Sequence, residues 1–263
     1  MKLPVYIADA FTSKLFGGNP AAICPLQEWL PDATMQSIAA ENNLSETAFI
    51  IEEDDHFRIR WFTPATEVKL CGHATLASAH IFYSELGHSK PELWFESLSG
   101  LLKVARKDSN TYTLDFPSNP PEPVIDIPDG LYDGLKIDGG VPVFKTSFDY
   151  MVVLPSQGDI EKLDPDFSSL AKVKARGVIA TAKGNEVDFV SRCFYPQSGI
   201  NEDPVTGSAH TIMVPYWAEQ LDKIQLNAIQ LSKRKGYLMC ELKGNRVLMS
   251  GTAVTYLKGE YIL

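Results

Sequence analysis

Arg60-Trp61-Phe62-Thr63-Pro64, a short loop, and then Cys71-Gly72-His73-Ala74-Thr75 read as a buried strand, a turn and a glycine opening a helix. The stretch has a second copy. Arg192-Cys193-Phe194-Tyr195-Pro196 repeats the Arg-x-Phe-x-Pro pattern, and Gly207-Ser208-Ala209 again opens a helix. About half of the 263-residue chain separates the two arginines. A chain made of two copies of one unit is expected to place its chemistry where the copies meet.

The bulk properties set the class. A hydrophobic content of 44% and a charged content of 22% are those of a soluble globular protein, long enough for one large domain or two ordinary ones. The net charge of −9 argues against a nucleic-acid partner, which would leave a basic patch. No window is apolar enough to span a membrane. Met1-Lys2-Leu3-Pro4-Val5-Tyr6-Ile7 is followed too soon by Asp9, Thr12, Ser13 and Lys14 to be a signal peptide, so it reads as the first strand of a cytoplasmic protein. Cys24, Cys71, Cys193 and Cys240 stand far apart and read as reduced thiols with no zinc spacing. His56, His80 and His88 are scattered, so no metal site is expected, and no dinucleotide or triphosphate loop is present.

Along the chain, Val5–Ala10 and Ala21–Cys24 read as strands flanking the loop Gly17-Gly18-Asn19-Pro20. A helix from Pro31-Asp32 ends near Asn42-Asn43, Glu46 sits on the turn after it, and a hairpin follows up to Phe62. The helix after Gly72 carries Ala74, Ala77, Ser78 and Ala79 beside Leu76, Ile81 and Phe82, which suggests enclosure by other elements. Pro117-Ser118-Asn119-Pro120-Pro121-Glu122-Pro123 reads as a linker without regular structure. The second half then replays the first, with a helix over Ser208–Gln220 and later strands that include Arg246–Ser250 and Ala253–Leu257. Strands outnumber helices without βαβ alternation, which gives an α+β duplicate. The expected units are 1–117 and 124–255 around the linker 117–123, each a curved, mostly antiparallel, barrel-like sheet around one central helix.

Two glycine-opened helices offer free N–H groups and positive partial charge, which suits a substrate carboxylate. The turns are not equivalent. The first presents Cys71, His73 and Thr75, and the second Glu202, Asp203, Thr206 and Ser208. Glu46 has no acidic counterpart in Ala175-Arg176-Gly177-Val178, and an acid unique to one half of a duplicated scaffold is a candidate acid/base residue.

The ordered markers Asp9-Ala10-Phe11-Thr12, Gly17-Gly18-Asn19-Pro20, Leu44-Ser45-Glu46-Thr47-Ala48-Phe49, Arg60–Pro64, Cys71–Thr75 and Gly199–Ala209 resemble the PhzF-like phenazine-biosynthesis isomerase family over essentially the whole chain. The resemblance implies the diaminopimelate epimerase-like fold, with the active site between two domains and a final strand, 256–263, that joins the first. It places the catalytic residues at Glu46, His73 and Asp203, and the substrate-binding residues at Ser45, Gly72, Gly207 and Ser208. It implies no cofactor, a small-molecule carboxylate substrate, and a homodimer. His210 departs from the asparagine of many relatives, a difference expected to bear on substrate contacts. The reading is then a cofactor-independent isomerase that shifts a proton at carbon by glutamate general acid/base catalysis in the interdomain cleft. A two-cysteine epimerase or racemase is the alternative. Cys71 supplies half of that device, but Glu202–Gly207 contains no cysteine and Cys193 lies inside a strand. A non-catalytic small-molecule-binding protein is a further alternative.

Overall fold

The computed structural model describes residues 2–263; Met1, which opens the expected first strand, lies outside the described residues. The chain divides into two compact units. One runs to Phe116 and includes Leu248–Leu263, and the other is Pro117–Val247.

In the first unit, Lys2–Ala10 pairs antiparallel with Asn19–Leu26, which runs parallel to Glu46–Glu52. Glu46–Glu52 pairs antiparallel with Phe57–Phe62, which runs parallel to Glu92–Ser97. Gly100–Arg106 and Thr111–Pro117 continue antiparallel. The last strand, Arg246–Ile262, pairs with both Thr111–Pro117 and Lys2–Ala10, so the ring closes and these strands leave no open edge.

The helix Gly72–Ser84 is enclosed, with every side chain from His73 to Tyr83 buried. Its small residues let the strands approach. Its buried hydroxyls are satisfied within the helix: Thr75 donates to the Cys71 carbonyl at 2.5 Å and Ser78 to that of Ala74 at 2.6 Å. A second helix, Asp32–Asn42, buries Met35, Ile38 and Ala39 against Phe49 and Phe62. It ends at Asn43 in the left-handed conformation, φ 49°. That sharp stop makes Glu46 the first residue of its strand rather than a turn residue.

The second unit repeats the pairing order. Val143–Lys145 lies antiparallel to Asp149–Val153, which runs parallel to Gly177–Lys183. Phe189–Tyr195 follows antiparallel, then Gln225–Gln230 parallel and Gly236–Lys243 antiparallel. The helix Gly207–Leu221 packs on Gln225–Gln230 and Gly236–Lys243. Among the described residues, each unit is therefore α+β with two parallel pairs among antiparallel ones. Short helices absent from the sequence reading, Leu131–Leu135, Gln157–Lys162 and Phe167–Leu170, cover the second core with Leu131, Leu135, Ile160 and Leu170. Ser156 and Asp166 cap the latter two by accepting backbone N–H bonds.

Two expectations need correction. The proline-rich segment is built into the second unit: Ser118 N–H bonds to the Asn245 carbonyl, and Glu122–Pro123 pairs with Phe144 and Lys145. The return to the first unit begins at Leu248, not at 256. Arg246–Ile262 is one uninterrupted strand because its ladder with Lys2–Ala10 already runs from Ala253.

The registers define equivalent positions. Arg60 faces Phe49 and Arg192 faces Ala180, so Glu46 and Gly177 start their strands at matching places. A Cβ on Gly177 would stand 2.2 Å from the Tyr195 ring and 2.8 Å from the Phe194 carbonyl oxygen. Gly177→Ala is expected to cost about 2–3 kcal/mol of stability through overpacking, read as a lower denaturant midpoint at unchanged slope.

Candidate active site

Glu46 and His73 meet in the first unit. Glu46 opens the strand Glu46–Glu52, and His73 lies in the first turn of the enclosed helix, directly after Gly72. Glu46 Oε2 and His73 Nε2 are 3.2 Å apart, with side chains only 13% and 5% exposed. The contact is close but not aligned as a hydrogen bond, a geometry common in sites that tighten around substrate. Burial pushes the His73 imidazole down to about 3, so it is neutral at neutral pH.

A third residue fixes the tautomer. Asn19 Nδ2 lies 3.1 Å from His73 Nδ1. An amide nitrogen can only donate, so Nδ1 accepts and the ring proton sits on Nε2, facing Glu46. The loop before Asn19 explains the Gly-Gly-Asn-Pro marker. Phe11 and Phe16 take positive φ, Phe16 N–H donates to Asp9 Oδ2 at 2.8 Å, and a Cβ on Gly18 would lie 2.0 Å from the Ala10 carbonyl oxygen. The sequence reading treated Asn19 as loop punctuation. Its position between Gly-Gly and Pro was the available signal, but nothing local says that it meets His73. Cys71 Sγ is also 3.5 Å from Nδ1. Ser45, half-buried, immediately precedes Glu46.

In the second unit the structure groups Asp203, Gly207 and Ser208. Thr206 Oγ1 donates to Asp203 Oδ2 at 2.5 Å. Gln230, fully buried, holds the turn from beneath: its amide donates to the Asp203 carbonyl at 2.7 Å and accepts from Thr206 N–H at 2.8 Å. Gln230 is a further residue that sequence spacing did not reveal, because it comes from a strand beyond the helix. His210 is fully buried, donates from Nδ1 to the Thr206 carbonyl at 2.8 Å, and is pushed down to about 4 by burial. It holds its own helix start, which corrects the expectation that it bears on substrate contacts. Cys193 is buried in the strand Phe189–Tyr195, where desolvation pushes its thiol well up. That is the opposite of an activated thiolate.

Glu46, Cys71 and His73 present donor atoms within 4.8 Å of one another. These are ligand types that zinc accepts. The ring, however, presents Nδ1 to Cys71 and Nε2 to Glu46. A single ion would have to draw one donor away from where it points.

The family model described as phenazine biosynthesis-like protein, PhzC-PhzF, matches residues 8–259. The chain belongs to that family. It is 49% identical to an isomerase of Pseudomonas aeruginosa over 98% of each chain. It matches the crystal structure of a PhzF-family protein from Enterococcus faecalis with a TM-score of 0.95, 46% identity and full coverage of both chains. A predicted epimerase of Pseudomonas aeruginosa shares the fold at a TM-score of 0.77 and 20% identity, covering 99% of each chain. The chain is a PhzF-family isomerase with the epimerase-like α+β fold. Among the described residues no helix is long and apolar enough to cross a membrane.

The neutral His73 has a measurable consequence. Its ring nitrogens should show the Nε2–H tautomer with no titration between pH 5 and 8, read by ¹⁵N NMR of labelled histidine. Its folded value lies below the ordinary histidine value of 6.5, so the unfolded chain binds the extra proton. His73 therefore favours folding fully above about 6.5, and that contribution drains away as pH falls towards 3.

Proposed function

We propose that this isomerase shifts a proton between carbons of a small carboxylic acid without a cofactor, with Glu46 as general acid/base. The observation that carries this is the enclosed pairing of Glu46 with a neutral, Nε2-protonated His73. An imidazolium would tie the carboxylate into a permanent ion pair. A neutral N–H donor instead steadies the carboxylate when it forms and releases it when Glu46 carries the proton. The pair sits beside the opening of the Gly72 helix, whose free N–H groups suit an anion.

The bond changes balance within the substrate. Glu46 takes a proton from a C–H bond made acidic by conjugation or an allylic position, the double bond moves, and Glu46 returns a proton, exchangeable with solvent while it sits on the carboxyl, at the other carbon. Asp203, with Thr206 at 2.5 Å, is assigned to orienting a polar group of the substrate and assisting the transfer. Ser45, Gly72, Gly207 and Ser208 are assigned to holding it. The family relationship supports these roles, and it also supports a homodimer, which light scattering on the purified chain checks.

A thiol mechanism is the second reading, favoured by Cys71 at 3.5 Å from His73. That mechanism needs a second cysteine, and the matched turn carries Asp203, Pro204, Val205 and Thr206.

The test uses a panel of β,γ-unsaturated carboxylic acids in deuterated water, with solvent deuterium incorporation followed by NMR. Glu46→Gln should lower exchange at carbon at least about 10³-fold, within the range for loss of a general acid/base. Cys71→Ser should stay within about threefold of the parent, and a chelator should change nothing. Full exchange in Glu46→Gln overturns the glutamate mechanism, and loss in Cys71→Ser favours the thiol. Binding without exchange in the parent chain means a non-catalytic receptor.

A further inference from the structure

At the second unit's counterpart of Glu46, Gly177 leaves no room for a side chain, because the Tyr195 ring fills the space. The preceding residue takes the role of reaching the helix start. Arg176 Nη2 lies 3.1 Å from Ser208 Oγ. Ser208 follows Gly207 as His73 follows Gly72. The first unit thus pairs a carboxyl with an imidazole, and the second pairs a guanidinium with a hydroxyl.

The guanidinium is fixed in place. Its Nε donates to Asp149 Oδ1 at 2.9 Å and its Nη2 to Asp149 Oδ2. The Asp149 side chain is fully buried, while that of Arg176 is 40% exposed. The carboxylate therefore lies inward and the cation outward, and the Phe148 and Tyr195 rings flank the cation at 5.7 and 5.5 Å. Burial opposes the charge, but the Asp149 bonds outweigh it and hold the group protonated.

Donor arithmetic then points outward. A guanidinium cannot accept, so Ser208 Oγ accepts from Arg176 and keeps its own proton to donate. Neither that hydroxyl proton nor the Nη1 N–H pair of Arg176 has an acceptor among the described residues. An exposed cation with unspent donors on a rigid frame receives a planar anion.

We propose that Arg176, acting with Ser208, is a specificity-determining residue that recognises the carboxylate of the substrate and rejects its neutral analogues. This rests on the carboxylic-acid reading above and deepens it.

The probes are 3-butenoate and its amide, titrated by ¹⁵N NMR into the Glu46→Gln chain. The readout is binding and not turnover, so a failed mechanism cannot be confused with failed recognition. With Arg176 intact, the acid should bind at least about 10-fold tighter than the amide, the scale of one charge-assisted bond. Ser208→Ala, which leaves the Arg176–Asp149 pair whole, should reduce that preference several-fold. Asp149→Asn with Arg176→Gln, which removes both charges together, should bring acid and amide within about threefold while amide affinity holds. That selective loss is one that a merely structural role for Arg176 would not produce. Lys145→Ala with Lys174→Ala should change nothing, although these lysines line a cavity of about 460 Å³ whose wall includes Phe148 and Asp149 of the Arg176 frame. The inference is overturned by a preference that survives both Ser208→Ala and the Asp149/Arg176 pair, by one that vanishes with the lysines, or by the parent binding neither probe or both alike.

Discussion

Two arginine–carboxylate forks, one in each unit, hold the strand-to-helix turns that present that unit's candidate residues. Arg60 donates from Nε and Nη2 to Glu67, each at 2.7 Å, and Arg192 donates from the same atoms to Glu202 at 2.7 and 2.8 Å. Each guanidinium also lies 5.2 Å from the ring of the phenylalanine two residues on, Phe62 or Phe194. The fork geometry fits a planar carboxylate in a way that a lysine could not. Glu67 and Glu202 lie in the short strands just before Gly72 and Gly207. Each clamp thus anchors the chain immediately upstream of a helix start, where His73 and Ser208 are presented. The Arg-x-Phe-x-Pro repeat records this structural role: the arginine clamps, the phenylalanine supports it, and the proline ends the strand.

With the clamp duplicated, the residues proposed for chemistry stand at positions where the copies differ. Glu46 and Gly177 occupy the same place in matched registers, yet one carries a carboxyl and the other cannot carry even a methyl group without striking Tyr195. His73 and Ser208 share a helix position, but a neutral imidazole and a hydroxyl do different work there. The frame of each unit also differs in origin. His73 is steadied by Asn19 from an upstream loop, whereas the Asp203–Thr206 turn is steadied by Gln230 from a downstream strand. Duplication preserved the ladder and the clamps while the groups around each helix start diverged.

Much of the scaffold was legible because it is written locally. The enclosed helix announced itself by small residues on all faces, and the strands by alternation and turn residues. The lone acid at Glu46 and the histidine at His73 were legible as differences between copies. What the chain did not show locally was contact across the fold. Asn19 is 54 residues from His73 and Gln230 is 24 from Thr206, and neither spacing carries a periodic signal. Asp149 and Arg176 are 27 apart, and only the parallel pairing of Asp149–Val153 with Gly177–Lys183 brings them together. The proline-rich segment misled for a related reason. Prolines exclude a central strand but suit an edge, and Glu122–Pro123 is such an edge.

Burial decides what His73 can be, and that in turn limits what Glu46 can do. For a histidine this enclosed, the desolvation cost of a charge outweighs what its neighbours return, so it remains neutral. A neutral imidazole still has one acid and one basic nitrogen, and Asn19 spends the basic one. The remaining N–H can face Glu46 in either of its protonation states: as donor to a carboxylate, or as donor to the carbonyl oxygen of a carboxylic acid. Neither state leaves a buried charge opposite a buried charge. A carboxyl that accepts and returns a proton, the role proposed for Glu46, needs such indifference in its neighbour, and a lysine or arginine at position 73 would remove it by fixing the carboxylate. The physical requirement at that position is therefore a buried donor without charge, and histidine supplies it only while Asn19 holds the other nitrogen.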